Sequence, residues 1–427
     1  MVWCILKFWH KKEGPLNGLR QKVYPIFERL TTPMLKYLNN LLQPFRSCFS
    51  RQATFEWFVV IVVGFMLRSD HLGVTSRKLH QESENVSKGD YIFGHLFGAI
   101  GILVGDSRKW FCLPLFMNLQ DGVKTILGWK KSASEPESSS HVVQMIEQGF
   151  EAAKGFGQAL LLLDRYFLSV PALERLNACH LASETRMHLV TKAKSNAVAY
   201  ERPPAKKPGR GRPPKKGHEI KLKELFTTRA ADFQTATILL YDQEETIQYL
   251  CLDLLWGQGL YQELRFVLVV HQGRYSILVS TDLSLAATDI IRLYSYRFKI
   301  ECTFREMKQV THAFGYRFWS KSMPKLKRFL KKEEAHPLEV VTNEQDRQRI
   351  EKTIQAIEGF VMCQCIAMGL LQLVALQFSG RTSGLVFPLS ANALPCGGLG
   401  GQRCCLFTQI YFSPVCSESA CIHNENN

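Results

Sequence analysis

Acidic residues are scarce in this sequence relative to basic ones. Its 427 residues include 53 Lys and Arg against 38 Asp and Glu, which leaves a formal net charge of +15. Two segments account for about the whole excess, because 202–223 and 305–332 each carry nine basic residues and one acidic residue. A strongly basic protein favours a polyanionic partner, and nucleic acid is the simplest such partner.

A regular cysteine framework is also lacking. The 13 cysteines follow no fixed spacing, and no C-x2-C pair is repeated at a distance typical of zinc sites. Free thiols in a reducing cytosol are the simplest interpretation. No signal peptide is predicted, because the apolar part of MVWCILKFWHKKEG is very short. We therefore expect a cytoplasmic protein, and its basic charge suggests association with the nucleoid.

Long apolar runs are few, and only Phe360–Phe378 is long enough to cross a bilayer. Gln364, Gln372 and Gln377 would lie on different sides of such a helix, which favours a buried core helix over a membrane span. A membrane-associated protein that uses this helix remains the alternative. Membrane fractionation in carbonate would test it.

Strand and helix signals alternate along the chain in the order of an α/β protein. Ala159–Asp164 (ALLLLD) predicts a buried strand that ends in an acid, followed by a helix near 170–178 and a strand at 187–193. After a basic linker and several short β-like runs, Tyr275–Ser280 predicts another buried strand. Ser284 is then expected to cap the next helix. This order predicts an α/β layer with a large inserted region.

A hairpin is predicted earlier in the chain. Two β-rich stretches, Tyr91–Gly105 and Trp110–Phe116, flank the polar turn at 106–109. The residues before the first stretch, from 1 to 70, have a helical pattern.

Residues 294–308 (YSYRFKIECTFREMK) predict a helix with four polar side chains along one edge. Tyr294, Arg297, Glu301 and Lys308 stand at offsets 0, 3, 7 and 14. At about 100° per residue these offsets fall within one narrow arc, beside an apolar flank that can bury against a core. A solvated helix edge with ordinary i,i+4 pairing is the alternative.

The spacing Tyr-x2-Arg-x3-Glu-x6-Lys matches the Y-R-E-K signature of the DDE transposases of the insertion-sequence-four family. The chain resembles that family over about 54–378, in collinear order. The supporting features are the Gly94-His95 pair of the hairpin, a Pro114-Leu115 turn, Asp164 in LLLLDRYF, and Ser280-Thr281 before the signature helix.

The resemblance implies a ribonuclease-H-like core, interrupted by a β-rich insertion and flanked by helical N-terminal and C-terminal regions. It implies cutting and joining of DNA by attack of water or a 3′-hydroxyl, assisted by Mg²⁺, with Mn²⁺ as a substitute. Asp164 is implied to be the second metal-binding Asp and Glu301 the metal-binding Glu. Tyr294, Arg297 and Lys308 are implied to contact the DNA phosphates.

The same resemblance implies DNA partners, namely the transposon ends and the target, and admits a homodimer. No membrane and no small-molecule substrate are expected. Asp282 lies close to the signature helix and is interpreted as a loop or helix-start residue.

One element of the family pattern is lacking, namely the first Asp on a first strand upstream of the hairpin. The segment between 67 and 91 contains no apolar β-run. Asp70 and Asp90 lie on no predicted strand, and Asp106 lies in the predicted turn. The tail at 379–427 has no pattern either. These features indicate an internally deleted copy with an altered C-terminus, which would lack a central strand and be defective. A catalytically inactive, DNA-binding remnant is the alternative.

A second basic motif lies at 208–213 (PGRGRP). Two arginines around a glycine, held by prolines, form an extended ribbon thin enough for the minor groove of A·T-rich DNA. Arg210, Gly211, Arg212 and Pro213 therefore resemble an AT-hook. A solvated basic linker that touches only phosphates is the alternative.

The patterns divide the chain into seven regions. They are a helical N-terminal region (1–76), the first part of the catalytic core (77–198), the basic linker with the β-rich insertion (199–274), the remainder of the core with the signature helix (275–316), a basic polar segment (317–348), a C-terminal helix (349–378) and an irregular Cys/Gly-rich tail (379–427).

Overall fold

The structure is a computed structural model that describes residues 33–67, 91–92, 97–105, 110–119, 140–204, 213–241, 243–316, 320–324, 329–330, 337–378 and 405–412. Asp70, Asp90, Asp106 and the Gly94-His95 pair lie outside the described residues. The predictions made for them are therefore untested.

The described residues form helices and strands that alternate along the chain. In order, they are α1 (Pro33–Leu42), α2 (Gln52–Leu67), β1 (Tyr91–Ile92), β2 (Phe97–Gly105), β3 (Trp110–Leu119), α3 (His141–Lys154), β4 (Gln158–Leu163), α4 (Val170–Ala182), β5 (Arg186–Lys192), β6 (Val198–Tyr200), β7 (Glu219–Lys221), α5 (Leu225–Thr228), β8 (Gln234–Leu240), β9 (Gln243–Trp256), β10 (Gln262–His271), β11 (Arg274–Ser280), α6 (Ala287–Ser295), α7 (Lys299–Gln309), β12 (Phe329–Leu330), α8 (Glu344–Gln377) and β13 (Cys405–Phe412).

One large sheet organises the molecule. Its strand order is β3-β2-β13-β4-β5-β11-β10-β9-β6-β7, with β8 paired to β9. β4 runs parallel to its two neighbours, β13 and β5, and the other pairs in this sheet are antiparallel. The strands of the inserted region, β6 to β10, continue the same sheet through the pairing of β10 with β11. The α/β class is confirmed.

Helices cover both faces of the sheet, so its central strands are buried on both sides. Leu160 and Leu162 of β4 belong to the core under α2, α6, α7 and α8. Leu161 and Leu163 belong to the opposite core under α3 and α4. A strand covered on both faces needs a continuous apolar run. This is why the run at 159–163 could be identified as a buried strand from its composition.

The long helix α8 packs on β3 and α2 and is buried over most of its C-terminal half. By length and composition it could cross a membrane, and 61% of its most apolar window is buried inside the protein. A core helix passes the same test. Gln364 and Gln372 are fully buried, and Gln372 Nε2 donates to Thr303 Oγ1 of α7 over 3.3 Å. The packing of α8 is therefore that of a core helix.

Several local predictions are confirmed. β2 and β3 form the predicted hairpin, with Gly105 opposite Trp110. β4, α4, β5 and β11 lie within a few residues of their predicted positions. The long C-terminal helix also forms, although it begins at Glu344, where Asn343 caps its first turn, rather than at Arg349.

The predicted Pro114-Leu115 turn is wrong. Both residues lie inside β3, where the register with β2 shifts between Ile100 and Gly101. Ile100 pairs with Phe116 and Gly101 pairs with Pro114, so Leu115 is the extra residue of a bulge. A bulge tolerates proline in a strand because the ladder bond that proline cannot make is already interrupted there.

The basic segment 202–223 is not a linker throughout. Its last part forms β7, which pairs with β6 and joins the edge of the sheet, and Leu222 is fully buried behind it. The prediction that this segment cannot contribute to a core is wrong for these residues. A single apolar residue after a short strand is enough to anchor the returning chain.

The prediction that 379–427 is irregular is also wrong for 405–412, which forms β13 in the middle of the sheet. The rest of this tail lies outside the described residues. The run CLFTQIYF is rich in β-branched and aromatic residues, which favour strands. Its partners are far away in sequence, so no neighbouring segment indicated the pairing.

Candidate active site

Asp164 follows directly after β4, at the end of the strand that was predicted to deliver it. Its Oδ1 accepts from the backbone N–H of Arg165 over 2.8 Å and begins a short 3₁₀ turn. Its carbonyl oxygen accepts from Thr191 Oγ1 of β5 over 3.0 Å. The even residues of β4 belong to the core under α6 and α7, so the alternation of the strand places Asp164 on that side.

The signature residues lie on two helices rather than one. α6 ends at Ser295, a 3₁₀ segment covers Tyr296–Phe298, and α7 begins at Lys299. The prediction of a continuous helix is therefore wrong for these three residues. A 3₁₀ turn advances about 120° per residue instead of 100°, so it rotates α7 by about 60° relative to α6.

Arg297 connects the site residues. Its Nη2 donates to Glu301 Oε1 over 2.8 Å, and its guanidinium carbon lies 5.8 Å from the centre of the Tyr294 ring. The side chain of Arg297 is only 16% exposed and that of Glu301 27%. An ion pair this sheltered from solvent is stronger than an ordinary helix-surface pair. The interpretation of this edge as a solvated i,i+4 pair is thus correct in spacing but not in burial.

Both carboxylates, Asp164 and Glu301, influence the pKa of Arg297. Burial by itself would lower the pKa of Arg297, but Tyr294, Glu301 and Asp164 together hold that pKa above its ordinary value. Asp164 on the strand and Glu301 on the helix therefore act on the same cation. The structure brings these two residues, which are far apart in sequence, to one side of the sheet.

Tyr294 is partly buried beside this cation. Burial raises the pKa of Tyr294 to about 12, with Asp164 adding to the increase and Arg297 opposing it. The phenol thus stays neutral and keeps its proton available for donation. Its partner Arg297 remains charged at any ordinary pH.

Lys308 lies in the last turn of α7 and is half-buried. It follows Glu301 by seven residues, which corresponds to about 10 Å along the helix axis. The structure therefore groups Tyr294, Arg297, Glu301 and Asp164 and places Lys308 further along the same helix.

Asp282 has the structural role that was expected for it. Its Oδ1 accepts from the N–H of Ser284 over 2.8 Å and from Ser284 Oγ over 2.6 Å. Burial works against the charged form of Asp282, but these bonds and nearby cations hold its pKa below the ordinary value. The prediction that Ser284 caps α6 is wrong, because the helix begins at Ala287 with Ala286 at the cap position, two residues after Ser284, and has no side-chain cap.

Oxygen donors for a divalent cation are present but few. Asp164 and Glu301 are carboxylates of the kind that Mg²⁺ binds, yet Glu301 already accepts from Arg297. Within the described ranges, no cluster of three or more His, Cys, Asp or Glu side chains could hold a metal. This donor set does not fit a two-ion centre, which needs more carboxylate than one pair.

The AT-hook-like motif lies, in the sequence, between two strands at the edge of the sheet. β6 and β7 pair antiparallel, with Tyr200 opposite Glu219. Lys216 Nζ lies 3.8 Å from the centre of the Tyr200 ring. Pro213 is exposed, whereas Arg210, Gly211 and Arg212 lie outside the described residues.

Two contributors to the site were not identified from the sequence. Thr191 is buried on β5 and fixes the end of β4 through its bond to the Asp164 carbonyl. Strand β13 lies beside β4, and α7 lies across it. The only available signals were a threonine in a predicted strand and the apolar run at 405–412.

An acid at the end of a buried parallel strand, held beside an arginine–glutamate pair on a neighbouring helix, defines an α/β protein with a polar site at the carboxyl edge of its sheet. Residues 127–323 match the family model described as the transposase DDE domain, which supports a DDE transposase. The matched range contains Asp164, Tyr294, Arg297, Glu301 and Lys308. No curated protein and no solved structure matches the chain.

Proposed function

We propose that this chain is a DNA transposase of the insertion-sequence-four family with a ribonuclease-H-like core. The observation that carries the proposal is the position of Arg297, which contacts Glu301, lies beside the Tyr294 ring and is influenced by Asp164. The order of these residues along the signature segment agrees with the resemblance. The transposase DDE domain match over the same residues supports it.

In this function the polar side chains would hold a DNA phosphate beside the acidic pair. Arg297 offers a buried cation with several donors, and guanidinium groups bind phosphate oxygens in a bidentate manner. Tyr294 adds a neutral hydroxyl next to it. Lys308 would bind the backbone further along the strand as a point charge. When bound, Mg²⁺ or Mn²⁺ would supply Lewis-acid polarisation of the phosphate, and Asp164 and Glu301 would be its ligands.

We also propose that this copy is internally deleted and defective in transposition. In-line displacement at a phosphodiester needs both the attacking and the leaving oxygen stabilised. Among the described residues, the two carboxylates at the site are too few for the two ions that do this, and Glu301 is already engaged by Arg297. DNA binding without catalysis, as in a transposase remnant, is the second candidate function. The uneven basic charge of the chain favours it.

Under both candidates, the partners would be the transposon ends and the target DNA, with a homodimer admitted. The protein would act in the cytoplasm at the nucleoid. The exposed flanks of the β6–β7 hairpin support a role for the Arg210–Pro213 motif in reaching DNA.

A nicking assay separates the two candidates. The full chain is incubated with Mg²⁺ or Mn²⁺ and labelled DNA that carries the element's own ends, and DNA binding is measured in parallel by gel shift. We expect binding without metal-dependent nicking. Specific nicking that is lost in Glu301→Gln, but kept when the exposed Glu244 of β9 is changed to Gln, would contradict defectiveness and support an active enzyme. Absence of DNA binding would contradict both candidates.

A further inference from the structure

The central position of the large sheet is filled from the far end of the chain. β13 lies between β2 and β4, antiparallel to β2 and parallel to β4. Cys405–Gln409 pairs with Ala159–Leu163, and Leu406–Phe412 pairs with Leu103–Phe97. Removing β13 would split the sheet into a β2–β3 hairpin on one side and the strands from β4 to β7 on the other.

The two strands beside β13 could not remain open at these edges. β4 is buried from Ala159 onward and β2 is buried over most of its length. Backbone N–H and C=O groups that are buried without partners lose their hydrogen bonds to water with nothing in exchange, which destabilises the fold. Both edges therefore need an extended segment between them, and the sequence at 68–90 contains no strand-forming run.

We propose that the slot between β2 and β4 is a strand-acceptor site, which the chain fills with its own C-terminal residues 405–412 in place of an upstream strand. The tail is suited to this role. CLFTQIYF contains no charged residue, proline or glycine, and Pro414 follows shortly after it. The 27 residues between α8 and β13 can span up to about 90 Å, which is ample for the return within one molecule.

The tail strand also supports the candidate site. α7, which carries Glu301, lies across β13 as well as β3. Gln409 is paired with Leu163, so Ile410 occupies the register position beside Asp164. The occupant of the slot therefore determines both the surface under α7 and the residue next to Asp164. This last consequence rests on the proposed function, whereas the strand-acceptor site itself does not.

Hydrogen–deuterium exchange of the full chain tests the proposal without DNA or metal, so its result is independent of any nicking assay. In the wild type, we expect the amides of 405–412 to be protected at least 100-fold relative to an unstructured chain. Gln409→Pro removes a donor in the middle of the strand. We expect this change to lower the protection of β2 and β4 by at least tenfold and to leave β9 and β10 unchanged.

Ser417→Pro, which lies beyond the strand, is the matched control and should behave as the wild type. Unprotected amides at 405–412 in the wild type would overturn the proposal even if the proline variant failed to fold. Unchanged protection of β2 and β4 in Gln409→Pro would also overturn it. If the protection of 405–412 appeared only at concentrations where the protein is dimeric, the strand would come from a second copy, and the assignment to the same molecule would be wrong.

Discussion

Arg297 is the residue on which the rest of the candidate site depends. It is a nearly buried cation, and its burial is offset by the Glu301 carboxylate at 2.8 Å and by Tyr294 and Asp164 nearby. Burying a charge without such partners costs several kcal/mol. The site is therefore arranged around a fixed positive charge. Phosphate oxygens that approached Arg297 would compete with Glu301 for its donors.

The phenol of Tyr294 gives this arrangement a measurable pH dependence. Burial raises the pKa of Tyr294 to about 12 from its ordinary value of 10.0. Between these two values only the unfolded chain releases the proton, so stability is complete below about pH 10 and falls as the pH rises towards 12. A shift of this size corresponds to about 2–3 kcal/mol. We expect Tyr294→Phe to flatten the decline by that amount in urea unfolding measured across this pH range.

Tyr275 is the matched control, because its side chain on β11 is 64% exposed. Tyr275→Phe should leave the alkaline decline in stability unchanged. If Tyr294→Phe and Tyr275→Phe gave the same pH profile as the wild type, Tyr294 would not be buried beside Arg297 as described.

The side-chain amide of Gln364 is a buried polar group without a hydrogen-bond partner among the described residues. It is fully buried in α8, and neither its amide nitrogen nor its amide oxygen has a partner among the described residues. An unsatisfied buried polar group costs about 1–3 kcal/mol. We expect Gln364→Leu to raise the free energy of unfolding by about 1–2 kcal/mol in urea denaturation. The same change at the exposed Gln377 should have almost no effect, and a destabilised Gln364→Leu would show that the amide has a partner.

At the scale of elements, the predictions from the sequence were most accurate where the cause of a structural feature lies in neighbouring residues. The ALLLLD run is apolar at every position because both faces of β4 are covered, and an acid directly after it marks the end of the strand. The pair at Arg297 and Glu301 has the i,i+4 spacing that any helix brings together. These features need no knowledge of the rest of the chain.

The elements that were missed depend on distant partners or on fine backbone geometry. Residues 405–412 become a strand only because β2 and β4 leave a gap, and pairs more than 240 residues apart leave no mark in local periodicity. Ser284 does not cap α6 because the helix begins two residues later than predicted, with Ala286 at the cap position. The 3₁₀ segment at Tyr296–Phe298 keeps the same residues in a helical state and changes only the rotation between α6 and α7.

The register of β13 indicates where an added carboxylate could share a cation with Asp164. Ile410 lies beside Asp164, and Gln409 lies one position earlier, so new carboxylates at these positions would face opposite sides of the sheet. We expect Ile410→Asp to create a binding site for a divalent cation together with Asp164. At a Mn²⁺ concentration of about ten times the Kd, binding would stabilise the fold by about 1.4 kcal/mol. Thermal unfolding with and without Mn²⁺ would measure this gain.

Gln409→Asp is the control for this change, because it adds the same charge at the neighbouring position. It should show no more stabilisation by Mn²⁺ than the wild type does. Equal stabilisation of both variants would mean that Mn²⁺ binding depends on the added negative charge and not on the position of the new carboxylate beside Asp164. Equal stabilisation of the wild type would mean that Asp164 and Glu301 already suffice for binding.

At the scale of the whole molecule, the basic hairpin and the candidate site lie at different places on one sheet. β7 is six strands away from β4, which corresponds to about 29 Å at the usual spacing between strands. That distance covers roughly nine base pairs of a DNA duplex. A duplex held at Arg297 could therefore extend as far as β7, where the basic segment between β6 and β7 could contact it at the same time.

This separation predicts that Arg210 and Arg212 strengthen DNA binding through contacts of their own and not only through the total charge of the protein. We expect changing both Arg210 and Arg212 to Ala to weaken DNA binding and to reduce the slope of log affinity against log salt by about 1.8, since each phosphate contact contributes about 0.9.

The control changes Lys154 and Arg229 to Ala. These two residues are paired with Glu151 and Asp232 on exposed surfaces, so both double variants lower the net charge of +15 by two. Binding titrations over a salt series on A·T-rich and G·C-rich duplexes measure both effects. An equal change in the two variants would mean that total charge alone governs binding. A change confined to A·T-rich DNA would indicate that Arg210 and Arg212 bind in the minor groove, because that groove distinguishes A·T from G·C pairs.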